Sequence, residues 1–219
     1  MKDFVSMPRT SLIAAILFLT GLLIWLVAWE PSDDSGKNPD PGHLPLELAA
    51  PPTGGDFILD AATGPVDLAS LRGQVVLVYF GYTWCPDICP TNLAFIAMAL
   101  RELTPEELAR VRVLFVSVDP ERDDLSRLAG YAAHFHPNIL GVTGTAEQVA
   151  QAASLYGAAY RRTDRSDSAM GYLIDHSAST YVLDPSGHLA RTLEHATAPA
   201  EILAAIRGLL VTDSGKSLQ

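Results

Sequence analysis

The chain has only two cysteines in 219 residues, Cys85 and Cys89. Any sulfur chemistry is therefore confined to one place. A structural zinc site normally closes on four protein ligands, and two thiols alone fall short of that. Basic residues are scarce as well: 15 Lys and Arg stand against 25 Asp and Glu, for a formal net charge of −10. Nucleic-acid phosphates demand a basic surface, so this balance excludes nucleic acid as a partner and is the ordinary means of keeping a domain soluble. No internal repeat occurs, which leaves one core rather than an array. The 15 prolines avoid the stretch from Arg161 through Asp184 entirely. One further absence is local: from Ser11 to Trp29 the chain carries no charge.

That uncharged stretch, SLIAAILFLTGLLIWLVAW, spans roughly 28 Å as a helix at about 1.5 Å per residue, which matches a bilayer core of about 30 Å. Residues 11–29 are expected to be a transmembrane anchor. Lys2 and Arg9 precede it, whereas Glu30, Asp33 and Asp34 follow it. The positive-inside tendency then puts residues 1–10 in the cytoplasm and the rest of the chain outside, in the periplasm of a bacterium or the intermembrane space of a mitochondrion. The cysteines would sit in an oxidising compartment. A cleaved signal peptide fits less well, because the apolar run is too long and Val27-Ala28-Trp29 lacks the small residues of a cleavage site.

Residues 30–55 are rich in Pro, Gly and Asp and read as a flexible linker, in which His43 is a solvated loop residue. The remaining hydrophobic content fills one domain, residues 56–212, with 213–219 as a disordered tail. A hairpin is expected from Phe57–Asp60 and Val66–Leu68. The β-branched run Val75–Phe80 reads as a strand buried on both faces and broken by Gly81. Helices are expected over Thr91–Leu103, from Pro105, over Asp124–Phe135, over Thr145–Tyr156 with Thr145 and Gln148 as a capping box, and over Pro199–Leu210. Strands are expected at Val111–Val118, Ile139–Val142, Ala158–Arg162, Tyr172–Ile174, Ser179–Leu183 and His188–Leu193, with Thr163–Ala169 as a surface excursion. Strands alternating with helices, then a hairpin and a helix, give an α/β fold with a mixed sheet flanked by helices.

Cys85 and Cys89 lie where a buried strand turns into a helix, and a helix N-terminus favours the thiolate that attacks disulfides or binds metal. One helical turn apart, their Cα atoms would be about 6 Å apart. That distance serves a disulfide and a shared soft metal ion equally well. A third ligand would separate the two uses. Among the histidines, His176 is the candidate, since Asp175-His176 ends one strand region beside another and a neighbouring strand end reaches the cysteine turn; a structural hydrogen-bonding role is its alternative. His134 and His136 read as helix-end residues complementing the dipole, and His188 and His195 as solvated. Two thiolates and an imidazole would suit cuprous copper. Asp87, between the cysteines, and Asp119 and Asp123, leaving a strand on the same sheet edge, are possible outer-shell groups.

The motifs Gly81-Tyr82-Thr83-Trp84-Cys85-Pro86-Asp87-Ile88-Cys89-Pro90, Ser117-Val118-Asp119-Pro120-Glu121-Arg122-Asp123, and Asp175-His176 with Asp184-Pro185-Ser186-Gly187 occur in this order behind the anchor. Together they resemble the Sco/SenC copper chaperones, thioredoxin-like domains tethered to a membrane. The resemblance implies a thioredoxin-like fold and copper held by Cys85, Cys89 and His176. It also implies a role in maturing the binuclear copper centre of cytochrome c oxidase subunit II, the implied partner. Thioredoxin-fold oxidoreductases are expected to set a cis-proline against their cysteines, and this chain has His176 in that proline-free region instead. Thiol-disulfide exchange with the cysteines of a metalloprotein partner is the second reading, with Cys85 and Cys89 as its redox-active pair.

Overall fold

Helix α1, Arg9–Ala28, takes in the uncharged stretch from Ser11 as far as Ala28. The computed structural model describes residues 9–28, 46–164 and 171–216, with the side chains of 9–12, 16, 26–28 and 212–216 left outside that description. Among the described residues no helix is long and apolar enough to cross a membrane. Contacts divide the chain into two units, residues 1–41 and 42–219. Trp29, His43 and most of the linker lie outside the described residues.

The second unit opens with the hairpin β1, Ile58–Ala61, and β2, Gly64–Asp67. Its centre is β3, Val75–Gly81, whose seven residues are all buried. A strand with no solvent face must be covered on both sides, which is why VVLVYFG shows no alternation. Helix α2, Ile88–Arg101, follows the cysteine turn. Next comes α3, Pro105–Ala109, opened by a capping box between Thr104 and Glu107 with Pro105 in the first turn. The chain then runs β4, Val111–Ser117; α4, Leu125–Phe135; β5, Ile139–Val142; and α5, Ala146–Leu155, whose capping box of Thr145 and Gln148 is the one expected. It ends with β6, Tyr160–Asp164; β7, Tyr172–His176; β8, Thr180–Leu183; β9, Leu189–Leu193; and α6, Pro199–Lys216.

The main sheet has the order β5-β4-β3-β8-β9, parallel between β3, β4 and β5 and antiparallel from β3 through β8 to β9. The expected mixed α/β sheet is therefore present. Strands β6 and β7 form a separate antiparallel pair. Helix α2 packs against α6, and α4 lies along β5. Gly81 pairs with Ser117 at the last step of the β3–β4 register. The loop carrying the cysteines and the loop carrying Asp119 and Asp123 therefore leave the sheet at one edge, where open α/β sheets build their sites.

Several boundaries differ from expectation. Gly81 is the last residue of β3 and does not break it. Helix α2 begins at Ile88, three residues before Thr91, because a proline in the first helical turn gives up an N–H that has no partner there anyway, so Pro90 sits inside the helix. Strand β6 takes in Thr163 and Asp164, and β7 reaches His176, because the two pair from Tyr160↔His176 to Asp164↔Tyr172. The end of the linker is bound to the domain: Leu46 N–H donates to the His176 carbonyl (3.2 Å), and Ala49 N–H donates to that of Gly157 (2.8 Å). Helix α6 runs to Lys216, into the stretch expected as a tail. His136 closes α4 as its C-cap, and burial, with Arg101 nearby, lowers its pKa below the usual histidine value, which opposes the charged role expected of it.

Candidate metal centre

Three side chains converge at the sheet edge. The Sγ atoms of Cys85 and Cys89 and a ring nitrogen of His176 all lie within 4.8 Å of one another. Cys89 Sγ is 3.1 Å from His176 Nε2. Cys89 is fully buried and His176 is 1% exposed, whereas Cys85 is 8% exposed and is the member of the set that meets solvent.

Each position has a local cause. Cys89 occupies the first turn of α2, so its sulfur points back over the end of β3. Gly81 makes room for it: a Cβ there would come within 2.6 Å of Cys89 Sγ and 2.9 Å of the Phe115 ring. His176 is the last residue of β7, and its Nδ1 lies 2.9 Å from the Ser177 carbonyl. A carbonyl only accepts, so Nδ1 carries a hydrogen and Nε2 is the nitrogen that faces the sulfurs. The rings of Tyr82 (centroids 5.9 Å apart, 85°) and Tyr79 (6.3 Å, 67°) meet the imidazole edge to face and keep it from turning. Tyr82 also accepts a hydrogen bond from Ile174 N–H on β7 (3.2 Å), tying the histidine strand to the cysteine loop.

The two thiols are inequivalent. Cys85 is pulled down to about 4, first by the hydrogen bond from Cys89, against a desolvation penalty, and with help from His176 and from the backbone N–H groups of Asp87 and Cys89. Cys89 is pushed up, first by burial and then because its proton is the one shared with Cys85. The pair thus holds one proton: Cys85 is the thiolate and Cys89 the donor. Both cysteines are free rather than bridged.

The outer carboxylates act one step away from the sulfurs. Asp123 is fully buried and accepts from Thr83 N–H (2.8 Å), Thr83 Oγ1 (2.6 Å) and Ser117 Oγ (2.7 Å). It therefore fixes the loop that delivers Cys85. Asp119 accepts from Tyr172 Oη (2.7 Å) and Arg122 Nε (2.6 Å) and so holds the start of β7. The Asp87 side chain is exposed and makes no capping bond, and it is the backbone of Asp87 that serves Cys85. Trp84 is 39% exposed beside Cys85, with the Arg127 guanidinium 4.2 Å over its ring. Among the other histidines, His134 and His188 do not enter the site, and His195 is half-buried against Asn92 rather than solvated. Sequence reasoning missed Gly81, Tyr82, Thr83 and Ser117 as supports of the site; only their place inside or beside the motifs hinted at them.

The SCO1/SenC family profile matches residues 47–211. The chain belongs to the SCO1/SenC family. It is 37% identical over 201 residues to the mouse protein "SCO2 homolog, mitochondrial", covering 91% of this chain and 78% of that one. The human SCO2 homolog is 44% identical over 135 residues, but the match spans only 50% of its length. Among solved structures, apo Sco1 of Thermus thermophilus superposes with a TM-score of 0.66 at 39% identity, covering 76% of this chain and 96% of that one. Yeast Sco1 with copper bound gives 0.65 at 32% identity, covering 72% and 88%. Arabidopsis thaliana ScoI with copper bound gives 0.67 at 32%, covering 73% and 99%. Family membership brings with it the thioredoxin-like Sco fold, in agreement with the mixed α/β sheet expected from the sequence.

Proposed function

We propose that this chain is a membrane-anchored copper chaperone that carries one copper ion on Cys85, Cys89 and His176 and delivers it to the binuclear copper centre of cytochrome c oxidase subunit II. The observation that carries the reading is the convergence of two sulfurs and an imidazole nitrogen within 4.8 Å. Two soft thiolates and one nitrogen select cuprous copper over hard cations, and three donors leave out the fourth ligand of a closed zinc site. The copper-bound yeast and plant relatives support the choice of metal. Copper is cargo here. Cys85, ionised and reachable, meets the incoming ion first; Cys89 gives up its proton as it ligates; His176 completes the set. Release reverses this order by ligand exchange with an acceptor approaching from the Cys85 side. The anchor in this reading is the uncharged stretch from Ser11 to Trp29, which puts the domain in the periplasm or the intermembrane space. Titration of the reduced full-length chain in detergent micelles against a cuprous competitor is expected to give one copper per chain, weakened at least about tenfold in His176→Ala. Unchanged affinity in that variant would sink the ligand assignment.

The inequivalence of the two thiols favours a second activity at the same residues. The Cys85 thiolate would attack a partner's disulfide to form a mixed disulfide. Cys89, once deprotonated, would displace it, leaving a Cys85–Cys89 disulfide and a reduced dithiol on the partner, a balanced two-electron exchange. This activity should survive His176→Ala and vanish in Cys85→Ser.

A further inference from the structure

We propose that Asn92 is the positioning residue that sets how closely Cys89 and His176 approach, an inference that rests on the copper reading of the site. Asn92 lies three residues after Cys89 on α2, close to one turn, and is 4% exposed. Both ends of its amide are engaged. Nδ2 donates to the Ala178 carbonyl (2.8 Å), while Oδ1 accepts from Ala196 N–H (3.0 Å) and lies 3.2 Å from His195 Nδ1. One side chain thus joins three segments: the helix with Cys89, the stretch just past His176, and the connection from β9 to α6.

The first bond bears on the metal site. The imidazole is oriented through the Ser177 carbonyl (2.9 Å). The stretch from His176 to Ala178 is itself held on its far side, where Ser177 N–H donates to the Ala159 carbonyl (2.8 Å) and Ala159 N–H to Ser177 Oγ (3.1 Å). Leu46 N–H binds the His176 carbonyl (3.2 Å). None of these bonds reaches the cysteine helix. Among the described hydrogen bonds, Asn92 to Ala178 is the one that joins α2 to this stretch apart from the 3.1 Å sulfur–imidazole contact itself. Tyr82 ties β7 to the loop before α2, and β3 pairs with β8 from Thr180, so what Asn92 adds is the registration of α2 itself, and with it Cys89, against the stretch that follows His176. The second arm is anchored firmly: Ala196 sits at φ 57°, a left-handed conformation rare for alanine, while its N–H is bound to Asn92.

The two arms can be separated by substitution in the full-length chain in detergent micelles. Asn92→Ala removes both arms, whereas Asn92→Asp keeps an acceptor for Ala196 and His195 and loses the donor to Ala178. His195→Ala removes the imidazole contact alone and leaves the bonds to Ala178 and Ala196 in place. Cuprous copper affinity is expected to fall about tenfold in both Asn92 variants, the scale of other groups one step behind a ligand. In samples loaded separately with cupric ion, the thiolate-to-cupric absorption and the electron paramagnetic resonance hyperfine pattern should also change. His195→Ala should match wild type in all three. In the metal-free protein, amide exchange at residues 178–180 should rise in the Asn92 variants and not in His195→Ala. Wild-type affinity and spectra in folded Asn92 variants would overturn the proposal, as would an equal loss in His195→Ala. Should the wild type itself take up no copper, the copper reading falls, and unchanged amide exchange in Asn92→Ala would overturn the positioning role independently.

Discussion

At the residue scale the site depends on one missing side chain. Gly81 was readable only as a strand breaker, because nothing in a linear sequence says that a sulfur eight positions later will lie against its Cα. A methyl group there meets Cys89 Sγ and the Phe115 ring, both held in packed surroundings. Gly81→Ala is expected to cost about 1–3 kcal/mol of stability through overpacking. It should also weaken copper binding by driving Cys89 off His176. Thermal unfolding and a competition titration check the two effects, and an unchanged unfolding midpoint would show that the site relaxes around the methyl. Cys85 makes a second prediction at this scale. The thiolate fraction is complete above its pKa of about 4, so its alkylation rate should be flat between pH 6 and 8. An ordinary thiol with a pKa near 8.5 would gain about tenfold per pH unit over that range. Rates from mass spectrometry of the reduced protein decide between the two. The cysteine pair and His176 could be picked out from residue type and motif. Their division of labour could not, since the shared proton depends on burial and on hydrogen bonds that only the fold creates.

At the scale of elements, the sequence carried the order and type of nearly every strand and helix, and its errors have physical sources. Pro90 and Pro86 both look like punctuation, yet a proline costs nothing in the first turn of a helix, so α2 starts early and Cys89 becomes helical. Strand β7 was cut short at Ile174 because Asp175 and His176 are polar, while the pairing of Tyr160 with His176 keeps them in the strand. Asp119 and Asp123 were visible as carboxylates on the right edge. Their function as clamps between elements was not, because it depends on contacts between separate elements, such as Thr83 of the cysteine loop and Ser117 at the end of β4 meeting at Asp123. Asp123 joins the end of β4, the cysteine loop and Arg127 on α4. Removing it leaves several buried donors without an acceptor. Asp123→Ala is therefore expected to destabilise the domain by about 3 kcal/mol, at the low end for a broken buried pair because Arg127 is 41% exposed and can return to water. Urea unfolding would show the loss as a lower midpoint, and faster amide exchange at Thr83 would localise it to the cysteine loop. A global loss with Thr83 still protected would contradict the clamp.

At the scale of the whole molecule, the chain divides into two units: residues 1–41, which contain helix α1, and residues 42–219, which contain all three candidate ligands. The site is built from β3, α2 and β7 and supported from the β4 loop and the segment at Leu46, all within the second unit. Copper binding and membrane attachment should therefore be separable. A chain beginning at Gly42 keeps the Leu46 bond to His176 and every hydrogen bond around the cysteines, so its unfolding midpoint, copper stoichiometry and copper affinity are expected to match those of the full-length chain. What should change is partitioning: if the proposed anchor is right, the full-length chain should resist extraction from membranes at alkaline pH, and the shortened chain should be found in the soluble fraction. A single charge inside the apolar stretch, Leu19→Arg, probes the same point without deletion. An arginine at the centre of a spanning helix costs about 2.5–3.5 kcal/mol on insertion scales, so this substitution should lower the membrane-bound fraction without touching the copper titration. If the shortened chain loses copper affinity, the two units are coupled and the anchor is part of the site. If it stays with the membrane, a surface of the domain, and not α1, holds the protein there.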